Sequence, residues 1–369
     1  MSRDISPPPT KRRKTGSQTT MSIQTATPAI SGNVNGIAPF LQQPITSFFQ
    51  ASKSPSGNTL DTKHRVPPAS LRGLLHRYKW PAMLLLQEVK IAPQDMKTQN
   101  AVRTAVNSKL PLEQCFSVKG PLYEAQFTLP SDRYNARGFN GNGKVYGVCS
   151  IFRSDLRKSY DVNIRTVDWD NEGRISVIEL ASKGAKLAIF NVYAVNGTDN
   201  PYRDSVTGDV RGTRHDRKLE VHQLVMQECM YLEQEGWDVI LAGDMNVAPD
   251  TRDGYPKLRS FPKQHVLNRA DFHRKLLESQ DGQCDGFNGI DAWRKMHGGE
   301  RKYTWFAQGK KWGTCCDRVD FFIVGSNAWD KKLIKASGIL DNEVERGPSD
   351  HVPIWADLRL EYNDETEAL

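Results

Sequence analysis

Apolar runs separated by short polar stretches divide most of this chain into predicted strands and loops. Val145 to Phe152, Arg174 to Leu180 and Lys186 to Val195 are rich in branched residues, which is typical of buried or half-buried strands. Gly184-Ala185 is predicted to turn the chain between the last two segments. These two segments are therefore predicted to form a β-hairpin.

One long helix is predicted from Thr213 to Glu235. Its apolar positions recur at spacings of four, four and three, at Val221, Val225, Cys229 and Leu232. Thr213 with Asp216 is predicted to cap its start, and Gly236 to end it. A hairpin together with strand–helix–strand units fits an α/β fold in which two packed mixed sheets carry helices on the outside.

The chain is predicted to hold one large folded domain over residues 29–362. Residues 1–28 are rich in Pro, Ser and Thr and poor in apolar groups, and are predicted to form a disordered basic tail. A stretch rich in Ser, Pro, Gly and Lys predicts a loop insertion at 51–69, and 363–369 is expected to be a short C-terminal tail. A domain of this size is long enough to bury a substantial core.

Charge adds a prediction about cellular location. Of the net charge of +7, residues 1–30 supply +4 and the remainder of the chain +3, so the body is only mildly basic. The cluster from Lys11 to Lys14 is interpreted as a nuclear import signal, with a solvated basic tail as the alternative. We expect a nuclear protein, in which the cysteines are reduced. We expect no membrane segment, because the apolar runs fall far short of the roughly 18 residues that a spanning helix needs.

Several polar stretches follow or lie within the predicted strands. They are Ser31-Gly32-Asn33-Val34-Asn35-Gly36, Leu84-Leu85-Leu86-Gln87-Glu88, Asn191-Val192-Tyr193-Ala194-Val195-Asn196, Gly243-Asp244-Met245-Asn246, Asp317-Arg318-Val319-Asp320 and Ser349-Asp350-His351. Burying a carboxylate beside apolar residues costs free energy unless a cation or another partner pairs with it. The pattern therefore indicates a functional site built at strand ends on a rigid scaffold.

In this order, these stretches resemble the exonuclease III and abasic-site endonuclease branch of the endonuclease/exonuclease/phosphatase superfamily, from about Ile30 to Leu360. The resemblance implies a four-layered α/β sandwich, with 29–362 as the catalytic domain. It also implies a monomeric Mg²⁺-dependent phosphodiesterase acting on duplex DNA, for which Mn²⁺ is expected to substitute. The implied reaction is incision 5′ to abasic sites, 3′-5′ exonuclease or 3′-end trimming in base excision repair.

The resemblance also assigns roles to residues. Glu88 is the main metal ligand, aided by Asn33 and Asn35, which are expected on one face of the first strand, and Asp350 lies on the metal side. Asp244 orients or deprotonates the attacking water, and Asn246 holds that water and the phosphate. His351, oriented by Asp320, donates to a phosphoryl oxygen, while Tyr193 and Asn196 reach the phosphate.

Substrate contacts are predicted from two loops. Trp305 is the candidate wall of an abasic-site pocket, and nearby Lys310, Lys311, Lys302 and Arg301 are either phosphate contacts or a solvated loop. Arginines within Asn200 to Arg217 are a second candidate DNA-facing group, Arg203, Arg211, Arg214 and Arg217. The chain departs from the family pattern at Gly32, where an aromatic residue is usual, and at Asp317, where Trp is common.

One segment has two interpretations. Gln42, Ile45, Phe48 and Phe49 match the spacing of a sliding-clamp binding motif, and they also have the spacing of an amphipathic helix packed on the sheet. The alternatives for the whole protein are another superfamily phosphodiesterase, acting on RNA tails or small phosphodiesters, and a clamp-binding nuclear scaffold with little turnover.

Overall fold

The computed structural model describes residues 26–41, 70–110, 113, 119–136, 146–278 and 285–360. The predicted tail up to residue 25, the segment with Gln42, Ile45, Phe48 and Phe49, the insertion 51–69 and residues 361–369 lie outside these ranges. The first strand begins at Ala26, earlier than the predicted start of the body at residue 29. Among the described helices, none is long and apolar enough to cross a membrane.

The strands, in chain order, are β1 (Ala26–Asn33), β2 (Met83–Gln87), β3 (Tyr123–Thr128), β4 (Val148–Arg153), β5 (Asp161–Thr166), β6 (Ile175–Ala181), β7 (Lys186–Tyr193), β8 (Pro201–Arg203), β9 (Val210–Thr213), β10 (Asp238–Asp244), β11 (Gly254–Tyr255), β12 (Ile290–Asp291), β13 (Trp305–Phe306), β14 (Cys316–Asp317), β15 (Asp320–Val324), β16 (Ile334–Ile339) and β17 (Ile354–Arg359). The α-helices are α1 (Leu71–Arg77), α2 (Met96–Ala105), α3 (Leu156–Ser159), α4 (Arg214–Gln234), α5 (Gln264–Leu276), α6 (Ala292–His297), α7 (Ser326–Asp330) and α8 (Glu343–Arg346).

Two six-stranded mixed sheets form the centre of the fold. The first has the order β16-β17-β1-β2-β4-β3 and the second the order β12-β15-β10-β7-β6-β5. Among the strand pairs formed by the described residues of these sheets, the central pairs β1–β2 and β7–β10 are parallel and the others are antiparallel. The strands predicted from branched residues are confirmed as β4, β6 and β7, and β6 and β7 form the predicted antiparallel pair.

Three apolar clusters give the fold its layers. Side chains from both sheets, such as Leu85 and Ile240, meet in a cluster between the sheets. The outer face of the first sheet packs on α1 and α2. The outer face of the second sheet packs on α4 and α5 through residues such as Val225 and Phe272. The predicted four-layered α/β sandwich is therefore confirmed.

Helix α4 follows its sequence signals closely. The Thr213 hydroxyl accepts from the backbone N–H of Asp216, and the Asp216 carboxylate accepts from the backbone N–H of Thr213, a complete capping box. Gly236 adopts φ +82° just beyond the helix, a conformation that glycine adopts without strain. The predicted helix from Thr213 to Glu235 is confirmed, and its N-terminal end lies beside the cleft described next.

Polar side chains also join the two sheets near this cleft. The Gln87 amide donates to Ser31 Oγ at 3.0 Å and to Asn191 Oδ1 at 2.7 Å, and Asn191 donates to Ser150 Oγ at 3.1 Å. All four residues are almost fully buried. Because buried hydrogen bonds need exact geometry, this network fixes how the strand ends of one sheet face those of the other.

Candidate active site

Strand register brings three of the predicted residues into one row. Tyr193, the last residue of β7, is the register partner of Asp244, the last residue of β10. Asp244 is in turn the partner of Asp320, the first residue of the antiparallel β15. Three neighbouring strands of the second sheet therefore present polar side chains at the same edge.

The first sheet contributes the opposite side of the site. Asn33 ends β1, and Glu88 follows β2 directly. Glu88 and Asn35 have positive φ angles of 55° and 48°, so the chain bends sharply after each strand. The prediction that Asn33 and Asn35 share a strand face is therefore corrected: Asn35 lies beyond the strand, although both side chains reach the same cleft. Gly32 stays paired with Leu86, so this departure from the family pattern leaves the strand unbroken.

Three buried ionisable side chains, those of Asp320, His351 and Asp244, lie in a row in the site. His351 Nδ1 lies 2.8 Å from Asp320 Oδ2, and His351 Nε2 lies 3.9 Å from Asp244 Oδ2. Burial alone would lower the pKa of His351, but the carboxylates of Asp320 and Asp244 outweigh it and raise that pKa well above its ordinary value. Burial and the neighbouring Asp320 raise the pKa of Asp244. The arrangement gives a persistent imidazolium beside a carboxylate able to take up a proton.

Asn33 connects this row of side chains to Glu88. Its amide donates to Asp244 Oδ2 at 3.0 Å and to Glu88 Oε2 at 3.2 Å. The Lys90 ammonium lies 3.1 Å from Glu88 Oε1 and also donates to Asn35 Oδ1. The side-chain oxygens of Glu88 and Asn35 thus already stabilise one positive charge, that of Lys90. Carboxylate and amide oxygens are also the ligands that Mg²⁺ prefers, so the donor set fits the predicted metal.

Asp350 lies next to the same donors. It accepts from the Asn35 amide at 3.0 Å and from the Trp305 indole N–H at 3.1 Å. Asn35, Asp350 and Trp305 are thereby oriented together at the cleft. Burial, followed by the charge of Glu88, raises the pKa of the Tyr193 phenol well above its ordinary value, so Tyr193 remains a hydrogen-bond donor.

Asn246 lies in the loop that follows β10. Asn246 has φ +51° and lies beyond the strand; its backbone N–H donates to Asp244 Oδ1 at 2.8 Å, and its amide donates to the Ala194 carbonyl. Gly243 allows close approach of β7, because a Cβ there would lie 2.1 Å from the Val192 carbonyl oxygen.

Most of these groups line one cleft of about 310 Å³. The predicted residues that line it are Asn33, Asn35, Glu88, Tyr193, Asn196, Asp244, Asn246, Trp305, Asp350 and His351. Asp320 lies behind His351 and is 2% exposed. The structure therefore brings together every residue predicted to be catalytic or metal-binding.

Several lining residues were not predicted. They are cationic or can become so, and they lie on α4, on α5 or just before α5, at Lys218, Arg259, His265 and Arg269. Lys218 Nζ donates to the carbonyls of Val195 and Asn246, and burial lowers the pKa of Lys218 to about 7. Lys218 thus fixes the backbone at two strand ends of the site. In the sequence, the local sign of this role is that Lys218 lies three residues before Val221, an apolar position of the predicted helix.

Two predicted DNA contacts are corrected. Arg214 and Arg217 are buried, and Arg214 Nη2 lies 2.7 Å from Glu172 Oε2, which also accepts from Arg174 at 2.9 Å. Arg217 Nη2 donates to the Trp169 carbonyl. These arginines stabilise the fold because their charges are already paired within it.

The other predicted contacts lie outside the cleft. Arg203 donates to the Gly208 carbonyl, and Arg211 is 68% exposed and pairs with Asp204. Lys310 and Lys311 are exposed on the loop between β13 and β14.

Asp317, one of the two departures from the family pattern, lines the cleft. It accepts from Arg259 Nη2 at 3.2 Å, and the Arg259 guanidinium lies 5.6 Å from the Trp305 ring centroid. Burial raises the pKa of Asp317, while Arg259 lowers it. Where the family commonly has an aromatic wall, this chain thus has an arginine–aspartate pair.

The profile of the endonuclease/exonuclease/phosphatase family matches residues 30–351, most of the chain. The chain belongs to the endonuclease/exonuclease/phosphatase family. Members of this family typically depend on a divalent metal, and the ligand atoms of Asp244, Asp320 and His351 lie close enough together in this chain to hold a metal ion. No curated protein sequence matches the chain.

Solved structures of this family share the fold. The AP endonuclease LMAP from Leishmania major is 16% identical, with 90% of this chain and 88% of that one covered and a TM-score of 0.57. The catalytic domain of APE2 from Xenopus laevis is 16% identical, with 90% and 92% covered and a TM-score of 0.56. An AP endonuclease from Archaeoglobus fulgidus is 16% identical, with 90% and 100% covered and a TM-score of 0.50.

Proposed function

We propose that this protein is a Mg²⁺-dependent DNA repair nuclease that hydrolyses DNA 5′ to abasic sites, trims 3′ ends, or does both. The observation that carries the proposal is the single cleft in which the Asp320–His351–Asp244 chain faces the oxygen donors around Glu88. The similar folds of three proteins described as AP endonucleases or APE2 support the choice of DNA as substrate.

Glu88, with Asn35 and Asp350 beside it, would hold the metal ion. A bound Mg²⁺ would neutralise charge on the phosphoryl oxygens and stabilise the leaving oxygen. Asn33 bridges Glu88 and Asp244, so it sets the distance between the metal ligands and the proton acceptor. The Lys90 ammonium would yield part of its contact with Glu88 to the metal.

The chain's own residues supply the remaining chemistry. Asp244, with its raised pKa, accepts a proton from the attacking water, since a base with a pKa near the working pH is efficient. His351 stays cationic next to Asp320 and donates to a phosphoryl oxygen, where charge develops in the transition state. Tyr193 and Asn196 lie at the end of β7 and beyond it, from where both contact the phosphate.

A second candidate function has support from Asp317. A carboxylate in the pocket disfavours the close approach of a backbone phosphate, and an ion pair is a poor match for a base-free sugar. Another phosphodiester, such as an RNA 3′ tail or a small molecule, is therefore the alternative substrate class.

The test is cleavage of a labelled duplex carrying one abasic-site analogue, beside the same duplex undamaged, with Mg²⁺ or with chelator. The proteins compared are wild type, Asp244→Asn and the exposed control Asp209→Asn. We expect metal-dependent cleavage by wild type and by the control, with a loss of about 10²–10⁴-fold in Asp244→Asn.

The products separate the possibilities. Incision only at the analogue supports an abasic-site endonuclease, and digestion of both duplexes from their 3′ ends supports an exonuclease. Absence of cleavage in every condition would refute DNA as the substrate and favour RNA or small phosphodiesters. The nuclear location, proposed from Lys11 to Lys14, is tested separately by deleting those residues and measuring the nuclear fraction.

A further inference from the structure

A loop at the rim of the cleft combines aromatic and basic side chains. The segment from Tyr255 to Lys263 joins β11 to α5 and contains two aromatic residues, three cations and no acidic residue. Its members Leu258 and Arg259 line the cleft. We call this segment the rim loop.

Phe261 is the most exposed large apolar side chain in the described part of the chain, at 88%. Single exposed apolar residues are common on protein surfaces and need no special cause. Phe261 differs from such residues in its surroundings, because it lies two positions from Arg259 in the cleft and two from the exposed Lys263. Phe261 therefore lies on a loop that runs from the lining of the cleft to the exposed surface.

The two lysines of the rim loop are available for an anionic partner. Lys257 and Lys263 are exposed, and neither forms an ion pair with any residue that the structure describes. Arg259 pairs with Asp317 inside the cleft, so its charge is directed inward. The outer surface of the loop thus presents an aromatic ring between two unpaired ammonium groups.

Contacts at both ends hold the rim loop in place. Tyr255 pairs with Cys316 in the β11–β14 ladder, and Arg269 on α5 donates to the Arg259 carbonyl at 2.6 Å. Beyond Phe261, the backbone N–H of His265 donates to the Pro262 carbonyl. The ring is therefore presented by an anchored segment, which reduces the entropy lost when it orders against a partner.

We propose that Phe261 stacks on a nucleobase of the DNA bound in the cleft, while Lys257 and Lys263 contact the flanking phosphates. An aromatic face between cations is how proteins bind exposed bases, because every base has a stacking surface and every nucleotide carries a negative charge. This inference rests on the proposed function, since it requires DNA in the cleft. It assigns a role to a residue outside the catalytic set.

The test measures binding in the Asp244→Asn protein, in which cleavage is expected to be about 10²–10⁴-fold slower. The probe is a duplex with an abasic-site analogue flanked by 2-aminopurine, whose fluorescence is quenched by stacking. The variants added to this background are Phe261→Ala, Phe261→Leu, Phe261→Trp and Lys257→Met. Leu122→Ala serves as a matched control, because Leu122 is 66% exposed and does not line the cleft.

We expect Phe261→Ala and Phe261→Leu to raise Kd by about 5- to 100-fold and to relieve quenching. Phe261→Trp keeps a flat ring and should stay within about twofold of the parent. Lys257→Met should instead reduce the slope of log K against log salt by about 1, while the Phe261 variants leave that slope unchanged. Leu122→Ala should match the parent in every measurement.

Two results would overturn the inference in different ways. If the parent binds the duplex and Phe261→Ala matches Leu122→Ala in Kd and quenching, stacking is refuted and the nuclease proposal stands. If the parent does not bind the duplex and wild type does not cleave it, both proposals fail. A loss in Phe261→Ala that Phe261→Leu restores would also refute stacking, since it would show an apolar contact without need for a ring.

Discussion

The role of Arg214 can be decided by one substitution. Its position in the sequence suggested a DNA contact, whereas its surroundings in the fold indicate a structural cation. The perturbation is Arg214→Met, which keeps the length of the side chain and removes its charge. Arg214 is 8% exposed and lies 2.7 Å from the Glu172 carboxylate, which is 1% exposed. We expect the variant to lose stability and to keep the affinity of the folded protein for DNA.

The magnitude follows from Glu172. Burial would raise the pKa of this carboxyl, yet Arg174 and Arg214 together lower it from 4.5 to about 2. That difference is equivalent to about 3 kcal/mol of net stabilisation of the charged form. Breaking a buried pair outright costs about 3–5 kcal/mol, but Arg174 still pairs with Glu172 at 2.9 Å in the variant. We therefore expect the free energy of unfolding to fall by about 2–3 kcal/mol.

The pH dependence has a defined sign. Because the folded-state pKa of Glu172 is depressed, its contribution is present above the unfolded value of 4.5 and is lost as pH falls through about 2. Removing Arg214 raises the folded-state pKa, so the stability difference between variant and wild type is constant at neutral pH. The difference narrows as pH falls below about 4.5 and Glu172 becomes protonated.

The assay is denaturant unfolding of wild type, Arg214→Met and Arg211→Met, with DNA affinity measured against salt for each. Arg211 is the matched control, since it is 68% exposed and pairs with Asp204 at the surface, where solvent screens the ion pair. Equal unfolding free energies for the two variants would refute the structural role. A salt slope reduced by about 1 in Arg214→Met alone would restore Arg214 as a phosphate contact.

Two further predictions concern the cleft. Asp320→Asn removes the carboxylate on His351 Nδ1, so the raised pKa of His351 should fall; activity at neutral pH should drop about 10²–10⁴-fold, and the alkaline limb of the pH–rate profile should move to lower pH. An unchanged profile would exclude His351 as the cationic group. Asp317→Asn removes one anion and frees Arg259, so duplex affinity at low salt should rise about fivefold with a salt slope steeper by about 1. Weaker binding by this variant would show that Asp317 itself contacts the substrate.

The sequence predicted which side chains meet in the cleft because most of them lie at or near strand ends. Asp244 and Asp320 follow or precede runs whose strand character is clear locally, and parallel or antiparallel pairing then places them side by side. The turns beyond the strands were harder to predict. Asn35 and Asn246 adopt positive φ angles that a two-residue spacing does not reveal, although asparagine tolerates this conformation.

The basic side of the cleft escaped prediction for a different reason. Lys218 and Arg269 lie on amphipathic helices, where a charged residue normally faces solvent, and only tertiary packing turns them toward the site. Arg214 was misassigned because its partner Glu172 lies far away in the sequence. Local patterns identify charged residues, whereas long-range pairing decides whether those charges are free to bind a substrate.

The distribution of charge in the cleft makes a final prediction about metal. The catalytic side holds four carboxylates, on Glu88, Asp244, Asp320 and Asp350. Lys90 and His351 form ion pairs with these carboxylates, and Lys218, whose pKa burial lowers to about 7, lies near Asp244. A phosphodiester approaching this side meets an excess of negative charge, which a divalent cation at Glu88 would cancel.

Mg²⁺ should therefore strengthen DNA binding itself, in addition to supporting hydrolysis. At about 1 kcal/mol for two unit charges 4 Å apart in water, cancelling two negative charges should tighten binding of a non-cleavable duplex about tenfold. The comparison is Mg²⁺ against NaCl at equal ionic strength, because added salt alone weakens binding. Glu88→Gln should lose most of this gain, since it removes the main ligand. If Mg²⁺ weakened binding in wild type as much as NaCl does, the cation would act only by screening, and Glu88 would not be its site.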